Sequence, residues 1–104
     1  EILVAEVDFE GENFRNQMFH VLYDGTVKDE HLFAVLGGES EAIYERFQSL
    51  HKNNMPLKKA LNACIDALTI GERDIEPDDL EVAELSIENG RRAFRRIDAS
   101  EIQN

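Results

Sequence analysis

The stretch Leu80–Ile97, LEVAELSIENGRRAFRRI, carries the strongest fold signal in this sequence. Two runs of strand-forming residues flank Asn89-Gly90, and this dipeptide suits a two-residue type I′ turn because both central residues of that turn need a positive φ. Counting outward from this loop sets four cross-strand pairs: Glu88 with Arg91, Ser86 with Ala93, Leu85 with Phe94, and Glu84 with Arg95. Each favourable pair contributes about 0.2–1 kcal/mol, and a slip of one residue would move every side chain to the wrong face. We therefore predict a hairpin over residues 80–97 in this register.

Composition limits the class of protein. The chain has 104 residues, 42% of them hydrophobic, which gives room for one small globular domain or part of a larger one. A net charge of −11 argues against a nucleic-acid or anionic-membrane partner. No apolar run reaches the roughly 18 residues that a membrane span needs. The single Cys64 cannot form an internal disulfide, so we expect a reducing, cytoplasmic location.

The arginines of the hairpin permit two interpretations. RRAFRR, residues 91–96, could bind nucleic acid if it were considered alone. An acidic approach precedes it, however, formed by Glu72, Asp74, Glu76, Asp78, Asp79, Glu81, Glu84 and Glu88. We expect the arginines to pair with this acidic strand, because the predicted register already supplies carboxylate partners.

Three strands are predicted before the hairpin. They cover residues 2–9 (ILVAEVDF), 17–23 (QMFHVLY) and 32–38 (LFAVLGG), with a polar loop at 10–15 and a turn at Asp24-Gly25. The nearly continuous apolar character of the third run predicts that both of its faces are covered.

Two helices follow the strands. Ser40–Lys52 repeats apolar residues at helical spacing (Ile43, Phe47, Leu50), with Ser40 as the predicted N-cap. Asn54–Ile70 has Pro56 near its start and an apolar stripe of Leu57, Leu61, Cys64 and Leu68. Ala60, Ala63 and Ala67 of the same helix allow close approach to a neighbour. The element order βββ-αα-ββ-α is typical of a layered α+β fold.

Both ends of the sequence lie inside predicted elements. The chain opens within a strand and without methionine, and Asp98 with Glu101 forms a capping-box pattern that starts a helix close to the last residue. We expect a piece of a longer protein, in which residues 1–104 form a single partial domain.

The sequence predicts no catalytic, cofactor-binding or metal-binding residue. His20, His31 and His51 lack metal-ligand spacing, and Cys64 has no second cysteine. Nucleophile-elbow, phosphate-loop and dinucleotide motifs do not occur. We expect His20 to be a structural polar residue on its strand and Cys64 to behave as a small hydrophobic residue.

Several short motifs together resemble a known family. The sequence is similar to the C-terminal half of actinobacterial-type proteasome α subunits at VAEV (4–7), YDG (23–25), FAVLGG (33–38), LxxAL (57–61), LEVA (80–83) and RRAFRRI (91–97). This resemblance implies the C-terminal half of a four-layer αββα sandwich, the fold of N-terminal-nucleophile hydrolases. The acidic connector at 71–79 departs from the glycine-rich sequence expected of the family at this place.

The resemblance also implies a function. Subunits of the α type form the non-catalytic outer rings of a barrel that degrades tagged cytosolic proteins; their partners are other α subunits, the β subunits that carry a threonine nucleophile, and a regulatory ATPase. Gating and activator-binding residues belong to the N-terminal half, so none is assigned here. Thr26 and Thr69 cannot serve as N-terminal nucleophiles. Two alternatives remain: an independent small acidic α+β interaction domain, and part of another N-terminal-nucleophile hydrolase.

Overall fold

A computed structural model describes residues 1–10, 13–70 and 75–102 of this α+β protein. Its elements are β1 (Ile2–Glu10), β2 (Asn13–Val21), β3 (Val27–Glu30), α1 (Ser40–Leu50), α2 (Leu57–Leu68), a 3₁₀ turn (Pro77–Asp79), β4 (Val82–Leu85), a second 3₁₀ turn (Ile87–Asn89), β5 (Phe94–Ile97) and α3 (Ala99–Ile102). The chain divides into two compact units: Glu1–Leu36 with Ala83–Arg96, and Gly37–Val82 with Ile97–Asn104.

An antiparallel sheet of order β1-β2-β3 forms most of the first unit. Ile2 lies opposite Val21, and the β1–β2 register continues without interruption to Glu10 opposite Asn13. The prediction of a polar loop over residues 10–15 is therefore wrong at both ends, although its centre, residues 11–12, falls outside the described residues. Polar residues are compatible with this extension because the ladder of a strand is formed by backbone groups, which every residue except proline can pair.

A short turn fixes where β3 begins. The Leu22 amide donates to the Thr26 carbonyl at 2.9 Å, and the Gly25 amide donates to the Leu22 carbonyl at 3.0 Å. Gly25 has a φ of 88°, which a three-residue hairpin loop requires at this position. The Thr26 amide also donates to Asp24 Oδ1 at 2.8 Å, and hydrogen bonds from Thr26 lower the pKa of the Asp24 carboxyl. The turn predicted at Asp24-Gly25 is confirmed.

The third strand is not the one predicted. β3 pairs residues 27–30 with 18–21 of β2, whereas residues 32–38 form no strand. The turn starts the ladder at the Val21–Val27 pair, and this ladder ends at Glu30, before the apolar run begins. Residues 33–36 are half-buried, so their apolar character reflects partial burial and not strand pairing.

Helix α1 in the second unit buries Ile43 and Phe47, two members of its predicted stripe. Its start differs from the prediction: Glu39 occupies the cap position with a left-handed φ of 59°, and Ser40 is already helical. The helix ends at Leu50, two residues early, where the His51 amide bonds the Phe47 carbonyl at 2.8 Å.

Helix α2 packs against α1 through small residues. Ala63 and Ala67 are its buried residues, at 7% and 2% exposure. The predicted stripe is wrong: Leu57 and Cys64 are exposed, and Leu61 and Leu68 are half-buried. Two of the three alanines predicted to allow close approach are the buried residues, and small buried side chains let neighbouring elements pack closely.

The ends of α2 also lie inside the predicted range. Asn54 has a left-handed φ of 61° and Pro56 is extended, so the first helical residue is Leu57.

A forked ion pair joins the two helices, since Arg46 donates from Nε and Nη2 to the carboxylate of Asp66 at 2.9 and 3.0 Å. Both side chains are nearly half exposed, which keeps the stabilisation below about 1 kcal/mol.

Helix α3 starts where the sequence predicts. The Glu101 carboxylate accepts from the Asp98 amide at 3.2 Å, which is one half of a capping box. Ile97 and Ile102 on either side are 6% and 8% exposed.

The β4–β5 hairpin has the predicted register with a different loop. The Ser86 amide donates to the Ala93 carbonyl at 2.8 Å, and Arg95 Nε lies 3.4 Å from Glu84 Oε1. Both pairs are those counted from the sequence, so the register and the pairing of Arg95 with the acidic strand are confirmed. The strands end at Leu85 and Phe94, however, and residues 86–93 form the connection.

Two consecutive turns replace the expected type I′ turn. One is closed by the Asn89 amide on the Ser86 carbonyl at 3.0 Å, the other by the Ala93 amide on the Gly90 carbonyl at 3.1 Å. Asn89 lacks the positive φ that a type I′ turn needs, whereas Gly90 has φ 92° and ψ −162°, a region open essentially to glycine alone.

Candidate functional site

Both threonines of the chain take part in local hydrogen bonds. The Thr69 hydroxyl donates to the Asp66 carbonyl at 2.7 Å beside the end of α2, and Thr26 belongs to the β2–β3 turn. Across residues 1–10, 13–70 and 75–102, the histidine, cysteine and acidic side chains form no group of three that could hold a metal ion. The absence of site residues stays a prediction from the sequence.

His20 links the three strands of the sheet. It is 8% exposed, and its Nε2 lies 2.5 Å from Glu1 Oε2. Its Nδ1 lies 3.8 Å from Glu30 Oε1, on β3. Leu3 and Lys28 stand opposite it in the flanking strands. This arrangement supports a structural role, because the buried ring is hydrogen-bonded to Glu1 on one side and lies near the Glu30 carboxylate on the other.

A groove of about 250 Å³ lies where β3 ends. Asn16, Gln17, Glu30 and His31 supply most of its polar lining. These carboxylate, amide and imidazole groups can accept or donate hydrogen bonds, but the arrangement does not pair a nucleophile with a base. We assign it no chemistry.

The most distinctive surface is one face of the β1-β2-β3 sheet. The strand register places Ile2, Val4, Phe19, Val21 and Val27 on this face, which we call the apolar sheet face. Ile2, Val4 and Val27 are 61%, 48% and 59% exposed, and the two β2 residues between them are half-buried. Adjacent exposed aliphatic side chains of this kind are typical of surfaces that contact other protein segments.

The hairpin has an exposed apolar pair of its own. Its outward residues are Ala83, Leu85, Phe94 and Arg96, and the register sets Leu85 opposite Phe94. Leu85 is 38% exposed and Phe94 is 55% exposed. Aromatic and arginine side chains are enriched in protein interfaces, so this surface also has the composition of a contact site.

The sequence does not specify two of these features in full. The strand Ile2–Val4 is apolar on both sides, but the other members of the apolar sheet face depend on the β1–β2 register, which cannot be counted without knowing the position of the turn. In the sequence Asn89 is significant only as part of an Asn-Gly pair, whereas in the structure its side chain bonds across the hairpin loop. Nothing in the local pattern distinguishes these two roles.

Within the part of the chain that the structure describes, no helix combines the length and the apolar character needed to cross a membrane.

Comparison with known proteins gives one consistent result. No family model matches the chain. Curated relatives named proteasome subunit alpha do: the protein of Acidimicrobium ferrooxidans is 46% identical over 104 residues, that of Acidothermus cellulolyticus 39% over 108, and that of Mycobacterium tuberculosis 38% over 111. Each alignment includes 99% of this chain but only 44–45% of the relative. Over nearly its whole length, the chain is therefore similar to actinobacterial proteins named proteasome subunit alpha, and it spans somewhat less than half of their length.

Proposed function

We propose that this chain is part of a non-catalytic α subunit in the outer ring of a proteasome core particle that degrades tagged cytoplasmic proteins. The observation that carries the proposal is the identity of 37–46% with curated α subunits over 99% of the chain. Homology of this extent implies an α+β fold like that of N-terminal-nucleophile hydrolases.

The finer fold is part of the same proposal. Residues 1–104 correspond to the C-terminal half of the subunit and to part of one domain in a four-layer αββα sandwich. The apolar sheet face supports this, because in a sandwich of two sheets such a face packs against the second sheet. Leaving Ile2, Val4 and Val27 in water would forgo about 1.5–3 kcal/mol for each side chain.

The proposed position in the α ring determines the partners of the chain. They are other α subunits, the catalytic β subunits, and a regulatory ATPase that binds through the N-terminal half. Relatives contain more than half of their length outside the matching region, which is room for the sheet and the gate that the proposal requires.

A chimeric subunit tests the proposal. The matching 44% of the Acidimicrobium ferrooxidans α subunit is replaced by this chain, and the chimera is produced with the β subunit of the same organism. We expect barrel-shaped particles in electron micrographs, with peptidase activity that is lost when the β-subunit threonine is replaced. A chimera that remains unassembled while the parent subunit assembles would contradict the proposal.

Two variants of the chimera address the sheet face. Val4→Lys places a charge on it and should prevent assembly, because a buried unpaired charge is costly. Thr26→Lys, on an exposed turn of the same sheet, is the matched control and should assemble normally. Assembly of both variants would mean that nothing covers the apolar sheet face.

A further inference from the structure

The loop of the β4–β5 hairpin depends on one side-chain amide. Asn89 Nδ2 lies 3.3 Å from the Glu84 carbonyl, 3.2 Å from the Ala93 carbonyl and 3.3 Å from Glu84 Oε1. All three neighbours are hydrogen-bond acceptors. This position therefore needs a group that donates hydrogens and has no negative charge.

The residue that follows Asn89 makes the amide chemically vulnerable. Gly90 is exposed, and a Cβ built on it would meet nothing within 4 Å, so the loop is open at this point. Because glycine has no side chain, its backbone nitrogen can approach the Cγ of the preceding asparagine with little steric hindrance. Every other asparagine of the chain is followed by a residue with a side chain or ends the sequence.

We propose that Asn89 is a site of spontaneous deamidation and that this modification opens the hairpin. The Gly90 nitrogen forms a bond to Cγ of Asn89, the bond from Cγ to Nδ2 breaks, and ammonia leaves with the proton released by Gly90. The resulting five-membered imide is opened by water at either carbonyl. Residue 89 becomes aspartate or isoaspartate. Water is consumed, ammonia is released, and nothing is oxidised or reduced.

The product no longer fits its surroundings. A carboxylate at residue 89 has no hydrogens to donate, and it faces the Glu84 carboxylate and two carbonyl oxygens at the distances given above. Like charges at this separation repel, and the two carbonyls lose their shared donor. Isoaspartate adds a backbone carbon to the loop as well, which changes the spacing between Ser86 and Ala93.

The experiment ages the purified chain at neutral and at mildly alkaline pH and locates mass gains of one dalton by peptide mapping. The gain should occur at residue 89 and should be faster at the higher pH, because the attacking amide must lose its proton. Asn62, which is followed by Ala63 within α2, is the internal control and should remain unmodified. A synthetic peptide of residues 86–92 supplies the rate for an unfolded loop. If that peptide converts while the folded chain stays intact over the same period, the proposal is overturned.

Hydrogen exchange tests the structural consequence. The Ser86 amide, bonded to Ala93 in the unmodified chain, should exchange about tenfold faster in the aged fraction and in Asn89→Asp, the change expected for the net loss of one or two hydrogen bonds. Asn53→Asp adds the same charge at an exposed site and is the matched control. Unchanged Ser86 exchange in both modified forms would show that deamidation does not open the hairpin. The test does not require assembly into a ring, so its failure is distinguishable from failure of the proposed function.

Discussion

Replacing Ala67 by leucine distinguishes burial of the α2 alanines from burial of its leucine stripe. Ala67 is 2% exposed, and α2 packs against α1. A leucine side chain would force the two helices apart or adopt a strained rotamer, and overpacking of this kind costs about 1–3 kcal/mol. Helix propensity contributes little, since alanine and leucine differ by only a few tenths of a kcal/mol.

Thermal unfolding followed by helical circular dichroism measures this cost. For a domain of this size, 1 kcal/mol corresponds to about 4–8 °C in Tm, so Ala67→Leu should lower Tm by about 4–24 °C. Lys59→Leu introduces the same side chain on the exposed side of α2 and should change stability by less than about 0.5 kcal/mol.

A third variant, Cys64→Ser, tests whether the leucine stripe of α2 is the buried side instead. Cys64→Ser should have little effect, because Cys64 is exposed. If Ala67→Leu melts like the parent chain while Cys64→Ser is clearly destabilised, the buried side of α2 is the leucine stripe and the described packing is wrong.

The remaining predictions concern the hairpin and the thiol. Gly90→Ala should destabilise the chain by about 1–3 kcal/mol because of its backbone conformation, whereas Gly38→Ala, which lacks a left-handed φ, should be neutral in the same denaturation experiment. Glu84→Arg combined with Arg95→Glu should be more stable than either single reversal, with a coupling of about 0.3–1 kcal/mol; additive effects in the double-mutant cycle would mean that the pair does not interact. Although the Cys64 residue as a whole is exposed, the atoms around its thiol desolvate the thiolate and raise the pKa of the thiol. Alkylation should therefore accelerate at a higher pH than for a free cysteine, and a rate equal to that of free cysteine would contradict this.

In the hairpin, the sequence specifies the register of the strands but not the conformation of the loop. Its register follows from pairwise complementarity of Glu84 with Arg95 and of Leu85 with Phe94, and these residues belong to the strands themselves. The loop conformation could not be predicted, because it depends on where the Asn89 amide finds acceptors. Those acceptors lie four and five residues away and exist only after the strands have paired.

The errors in the other elements have the same kind of cause. The apolar run at 32–38 predicts a strand covered on both faces, but Leu32 is 62% exposed and residues 33–36 are only half-buried. Strand pairing requires a partner edge, and the turn at Gly25 gives that edge of β2 to Val27–Glu30. In α1 the hydrophobic stripe identifies the buried side. In α2 the leucine stripe does not, whereas the alanines predicted to allow close approach include the two buried residues, Ala63 and Ala67.

The resemblance to the family can be read from the sequence because its motifs are distributed along the whole chain, and the comparisons agree with it. The residues of the candidate surfaces cannot be identified in the same way. A sheet face consists of residues from three strands, and no single segment specifies the relative register of those strands. Exposure is a property of the assembled sheet. It is not visible in the residues 2–4 or 27 taken separately.

The division of the chain into units has a consequence for the order of folding. The first unit is discontinuous: residues 1–36 and 83–96 belong to it, and residues 37–82 separate them. The β1-β2-β3 meander uses only contacts between neighbouring strands, and hairpins of this kind form within about 1–10 μs. The β4–β5 hairpin emerges later during synthesis, when the meander and both long helices have already been made. A released chain that ends after residue 82 should therefore contain all residues of the sheet and the helix pair but still lack one segment of its first unit.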